Sequence, residues 1–180
     1  FDIRVKSHGF GRGCLGCNVD IQQIKNPQYA RKLLELFGFV TIPVNWGRIE
    51  STKGTYDFSE LDLCIEILKK KKAAIGAGPL VCFSKEFLPD WLANSRAGFE
   101  KIRDTAYNFV SKVAERYSAN IRAWRVIGGL NVFNHFGFSF EQALEMTRAA
   151  NMAVKAISER SLKIIEAVSY THLRAHETSL

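Results

Sequence analysis

The chain has 180 residues, with 25 Lys+Arg against 18 Asp+Glu and a formal net charge of +7; 47% of it is apolar and 12% aromatic. That composition excludes a disordered tail, a collagen-like repeat and a disulfide-dense mini-protein. No apolar run reaches the roughly 18 residues that a membrane span needs.

Apolar periodicity alternates between strand-like and helix-like along the chain. Phe10 to Cys17 reads as a short, Gly-rich first strand. Asn26-Pro27 reads as a cap followed by proline at the first helical position. Tyr29, Ala30, Leu33, Leu34 and Phe37 then share one helical face, which Gly38 ends. Phe39 to Ile42 is β-branched and reads as a buried strand. Ser59 is placed to cap the next helix, with Leu61, Cys64, Ile65 and Leu68 inward. Its basic end, Lys69 to Lys72, suits a solvated helix C-terminus and lacks the interleaved aromatics of a nucleic-acid patch.

Ala73 to Phe83 reads as the third strand. Phe99, Ile102, Ala106, Phe109, Val110, Val113 and Tyr117 mark the third helix, and Ile121 to Ile127 the fourth strand, with Gly128-Gly129 at its end. Ser139 with Gln142 forms a capping box. Phe140, Ala143, Leu144, Thr147, Ala150, Val154 and Ile157 form the next helical face, and Leu162 to Ala167 opens a fifth strand. Repeated βα units imply parallel strands joined by right-handed crossovers. The predicted fold is α/β: a partial (β/α)8 barrel with about four βα units and the start of strand five. A complete barrel takes about 200 residues or more. The competing doubly wound sheet lacks a G-x-G-x-x-G after its first strand.

Of the four cysteines, Cys14 and Cys17 form a lone C-x-x-C, without the second pair a zinc ribbon needs. A structural role is the reading there, and Cys64 and Cys82 read as core. Val168 to Leu180, VSYTHLRAHETSL, breaks the pattern and resembles a translated sequencing adapter. The reading therefore divides the chain into a barrel segment, 1–167, and an artefactual tail, 168–180. His172 and His176, whose spacing of four would otherwise suggest a metal site, fall in that tail and are set aside with it.

Three stretches resemble glycoside hydrolase family 10, the endo-1,4-β-xylanase family. The first is FGFVTIPVNWGRIESTKGTYDFSELD, in which Val40-Thr41, Trp46, Ile49-Glu50, Gly54, Tyr56, Phe58 and Asp62 match the family pattern. The second is PLVCFSKEFLPDWL, Pro79 to Leu92, and the third RYSANIRAWRVIGGLN, Arg116 to Asn131. Their order and spacing agree with the family from about Val5 to Ala167. The resemblance implies a barrel hydrolase acting on a β-linked plant polysaccharide, with a carbohydrate partner and an extracellular or envelope location; the sequence carries no cofactor motif, so no cofactor is expected.

The chemistry departs from that pattern. A retaining glycosidase needs two carboxyls about 5 Å apart. The family's acid/base Glu ends strand four in N-E, and here Gly128-Gly129 stand in those places, with Arg125 for the Asp of W-D-V. Gly78, Cys82 and Phe83 replace the third-strand His, Trp and His. A non-catalytic carbohydrate-binding barrel is the alternative function.

Barrel sites lie at the C-terminal ends of strands. Glu86 is the carboxylate near the tops of strands two to four, a candidate acid/base, with a surface pairing to Lys85 as its ordinary alternative. Asn45, Trp46, Lys85, Trp91, Asn131, Asn134 and His135 are the candidate sugar-binding residues, by hydrogen bonding or by stacking. Packing competes at Trp46, Trp91 and His135, and loop capping at Asn131. Glu166 is expected either to line the barrel interior or to pair with Arg125.

Overall fold

The computed structural model describes residues 16–70 and 73–167. Five parallel strands, β1 (Gly16–Asn18), β2 (Phe39–Ile42), β3 (Ala74–Ala77), β4 (Ala123–Gly128) and β5 (Leu162–Glu166), lie side by side in chain order. Helices α1 (Pro27–Leu36), α2 (Trp46–Ile49), α3 (Ser59–Lys70), α4 (Asp90–Ala93), α5 (Phe99–Tyr117) and α6 (Phe140–Ile157) fill the connections. Every strand pairs with its sequence neighbour, the progression of a (β/α)8 barrel that this chain carries in part. Alternate strand residues, Val40 and Ile42, Ile75 and Ala77, Trp124 and Val126, join Leu33, Leu68, Phe109, Val113 and Val154 in one core. No helix among the described residues is long and apolar enough to cross a membrane.

Local chemistry sets the ends of the elements. Asn26 Oδ1 accepts from Gln28 N at 2.9 Å, with Pro27 in the first turn of α1. The Ser139–Gln142 capping box forms in full at the start of α6. Ser59, in contrast, is the first residue of α3 and not its cap. Asp57 Oδ1 accepts the Ser59 N–H at 2.9 Å, so the carboxylate two residues earlier satisfies that end.

The structure corrects other expectations. Strand three is shorter than predicted, and the chain leaves the β3 ladder after Ala77. It then follows β4 through single bridges, Val81 to Ile127 and Phe83 to Asn134. The buried stripe of α6 is Met146, Ala150, Ala153 and Val154. Phe140, 79% exposed, and Leu144 lie about a quarter to a third of a turn round from Ala150, off the surface that packs. Cys64 is fully buried, which pushes its thiol up to about 11, whereas Cys82 is only half-buried. Cys17 is free and half-buried, and burial raises its thiol too. Cys14, most of the predicted first strand, Lys71, Lys72 and the whole 168–180 tail lie outside the described residues.

Candidate functional site

The loop after β2 turns its polar atoms inward. Asn45 caps α2, its Oδ1 accepting from Arg48 N at 3.1 Å, while its Nδ2 donates to the Glu86 carbonyl at 3.2 Å. Trp46 is 2% exposed. Its ring stacks on Phe109 at 4.6 Å and its Nε1 donates to Glu50 Oε2 at 2.8 Å. No indole face is left for a sugar, which corrects the stacking role considered for Trp46.

Glu50 is the hub of this loop and the buried charged residue among those described. Its Oε1 accepts from Gly54 N and its carbonyl from Trp91 Nε1, both at 2.8 Å. Burial, and after it the Glu50 charge and hydrogen bond, raises the Tyr56 hydroxyl. In the sequence Glu50 stands out only as a motif letter. Its spacing of four from Trp46 on one helical turn was the available signal. Trp91 keeps partial exposure, edge-on to Trp46, with Lys53 Nζ 5.7 Å over its ring.

The loops after β3 and β4 hold the other candidates. Glu86 and Lys85 are both exposed, and neither makes an ion pair among the described residues. Asn134 closes its own loop: Nδ2 donates to the Phe138 carbonyl at 2.9 Å and Oδ1 accepts from Phe138 N at 2.8 Å. Both ends of that amide are therefore engaged. His135 Nε2 lies 3.0 Å from the Ala93 carbonyl, which requires the proton on Nε2, and its ring meets Phe136 edge-on. Asn131 is exposed just past β4.

The tips of β3, β4 and β5 close on one another. A Cβ on Gly78 would collide with the Arg125 carbonyl, and one on Gly128 would stand 2.7 Å from Pro79 Cβ. Gly129 has φ 59°, a left-handed conformation that glutamate rarely adopts. Arg125 reaches across the three tips. Its Nη2 donates to the Gly78 carbonyl at 3.0 Å and its Nη1 lies 3.4 Å from Glu166 Oε2. Cys82 feels both charges. Burial chiefly raises its thiol, a Ser84 hydrogen bond lowers it, Glu166 raises it and Arg125 lowers it. Gly128 and Gly129 thus leave the β4 tip without a side-chain carboxyl.

A cavity of about 730 Å³ opens beside the ends of β1 and β2, lined by Asp20, Asn45, Arg48, Asp57, Glu60 and Phe87 among others. Of the sequence candidates only Asn45 reaches it. The β1 loop that forms one wall carries no motif by which it could have been found.

The model of the family described as "Glycosyl hydrolase family 10" matches residues 5–157. No curated protein sequence matches the chain. Among solved structures, it is similar to a GH10 protein from Paenibacillus barcinonensis, at 15% identity and a TM-score of 0.67, over 86% of this chain and 50% of that one. Xylanase B from Clostridium stercorarium F9 gives 17% identity and 0.65, over 83% and 50%. Native xylanase 10C from Cellvibrio japonicus gives 14% and 0.71, over 83% and 35%. The chain spans half or less of each of these structures. With its parallel βα progression and the family's motifs on the matching strands and loops, it belongs to glycosyl hydrolase family 10.

Proposed function

We propose that the protein recognises a β-linked plant polysaccharide of the 1,4-xylan type in a family-10 cleft, and that strand β4 supplies no acid/base to it. The observation that carries this reading is the β4 tip: Gly128 packed against Pro79 and Gly129 left-handed, where the family has its Asn and Glu. A positioned acid or base contributes about 10²–10⁴ in rate, so a barrel without one binds far better than it turns over. Structures of the same family include a xylanase 10C variant in complex with xylopentaose, which supports a xylan-type ligand. Titration of the full-length protein with xylo-oligosaccharides tests the reading: saturable binding supports it, and no binding to any β-glycan removes it.

Hydrolysis through a relocated acid/base is the second reading. It is favoured by Glu86, an exposed carboxylate whose own backbone is tied to Asn45 just beyond β2. Xylan hydrolysis by the Glu86→Gln variant tests it. Turnover equal to wild type takes Glu86 out of the mechanism.

A further inference from the structure

The turn that follows β3 carries Lys85 and Glu86, whose side chains make no ion pair among the described residues. Resting on the glycan-binding reading, we infer that Asn45 is a positioning residue. It sets this turn, and through Lys85 and Glu86 the affinity for the glycan, without touching the sugar itself.

The amide of Asn45 joins two loops. Its Oδ1 accepts from Arg48 N at 3.1 Å, and its Nδ2 donates to the Glu86 carbonyl at 3.2 Å. Each polar atom of the side chain therefore already has a partner within the protein. A second tie runs beside the first, where Gly47 N donates to the Phe87 carbonyl at 2.8 Å. The two loops approach so closely there that a Cβ on Gly47 would stand 2.7 Å from the Leu88 carbonyl oxygen. Phe87 N donates to the Ser84 carbonyl at 3.0 Å, which closes the turn around Lys85 and Glu86. On the other side, the Phe83 carbonyl accepts from His135 N at 3.1 Å. The β2 loop and the β4 loop thus hold the turn from both ends. Of these ties the one from Asn45 alone is made by a side chain, so a substitution can cut it and leave the others in place. The turn stands at the C-terminal end of its strand, where barrel sites lie. Holding its residues in place before a ligand arrives lowers the ordering cost of binding.

The experiment is a double-mutant cycle, read by calorimetric titration of the full-length protein with xylo-oligosaccharide. Asn45→Asp keeps an oxygen to accept from Arg48 N but sets the other against the Glu86 carbonyl. It is expected to weaken binding about five- to tenfold. Lys85→Ala combined with Glu86→Ala is expected to weaken binding as well. Adding Asn45→Asp to that pair should then change the affinity less than about twofold further, because the turn no longer has those side chains to place. A residue that touched the sugar, or that held only the fold, would cost the same in both backgrounds. Such additive losses overturn the inference. Wild-type affinity in Asn45→Asp, or in the variant without the Lys85 and Glu86 side chains, overturns it too. Should Asn45→Asp fail to fold, Asn45→Ser takes its place in the cycle, and the same outcomes decide. Its hydroxyl still caps α2 but is one atom too short for the Glu86 carbonyl. Wild type that binds no xylo-oligosaccharide defeats the glycan reading itself and this inference with it, whereas binding with additive losses defeats only the inference.

Discussion

The loop after β2 and the tips of β3 to β5 lie at the same end of the sheet, but different groups hold them together. In the first, Glu50, Trp46, Gly54 and Trp91 satisfy one another inside the protein. In the second, backbone packs on backbone and Arg125 meets the Gly78 carbonyl and Glu166. The family's motif letters survive in the first region because they hold the scaffold. In the second, Gly128 and Gly129 stand where the family resemblance places Asn and Glu. Resemblance in one region therefore certifies the fold without certifying the reaction in the other.

The largest expected effect breaks the first region. Glu50→Ala leaves the Trp46 Nε1 and Gly54 N–H groups without their acceptor, and unfolding of the full-length protein in urea should show a loss of about 3 kcal/mol or more. A loss below about 1 kcal/mol would mean that the hub holds nothing. Next come the glycines of the second region. Gly128→Asn drives a Cβ into Pro79 and should cost about 1–3 kcal/mol, as overpacking does. Gly129→Glu should cost about 1–2 kcal/mol for its left-handed backbone, and it should not create xylan hydrolysis. Release of reducing sugar by that variant would show that the tip had kept the family's geometry.

The smallest effect lies between α3 and α5, where Asp62 accepts from Arg116 Nη2 at 2.6 Å and from the Tyr117 hydroxyl at 2.8 Å. The Arg116 guanidinium, and after it the Tyr117 hydroxyl, holds the Asp62 carboxyl below the usual range against the opposing effect of burial. A lowered folded pKa means that the contribution is present above the unfolded value, about 3.9, and is lost as pH falls through the folded one. Both charged partners are well exposed, so screening keeps the contribution below about 1 kcal/mol. Asp62→Asn should flatten stability against pH in the acid range and change little at neutral pH. An undiminished acid slope in that variant would assign the dependence to other carboxylates.

The fold was legible because each strand and helix carries its own period: Phe39 to Ile42 and the Phe99–Tyr117 stripe need no partner to be recognised. The packed side of α6 was not, because which stripe is buried depends on the surface it meets, and Phe140 and Leu144 turn away from it. The burial of Trp46 was hidden for a similar reason: Phe109, which covers it, arrives from a helix far along the chain. The loop-closing bonds of Asn134 were not legible, because Phe138 comes within reach only in the folded turn. The Arg125–Glu166 pair was foreseen as one of two outcomes, since a charge on β4 facing β5 needs an opposite charge within reach.

Binding and bond cleavage measured on one sample of the full-length protein test the central claim most directly. Xylo-oligosaccharide is titrated in a calorimeter, and the same solution is assayed for reducing sugar. The account predicts saturable binding with no release above the uncatalysed background. Release at about one turnover per second or faster would contradict it, because a barrel with glycine at both β4 tip positions would then be doing the family's acid/base chemistry by another route.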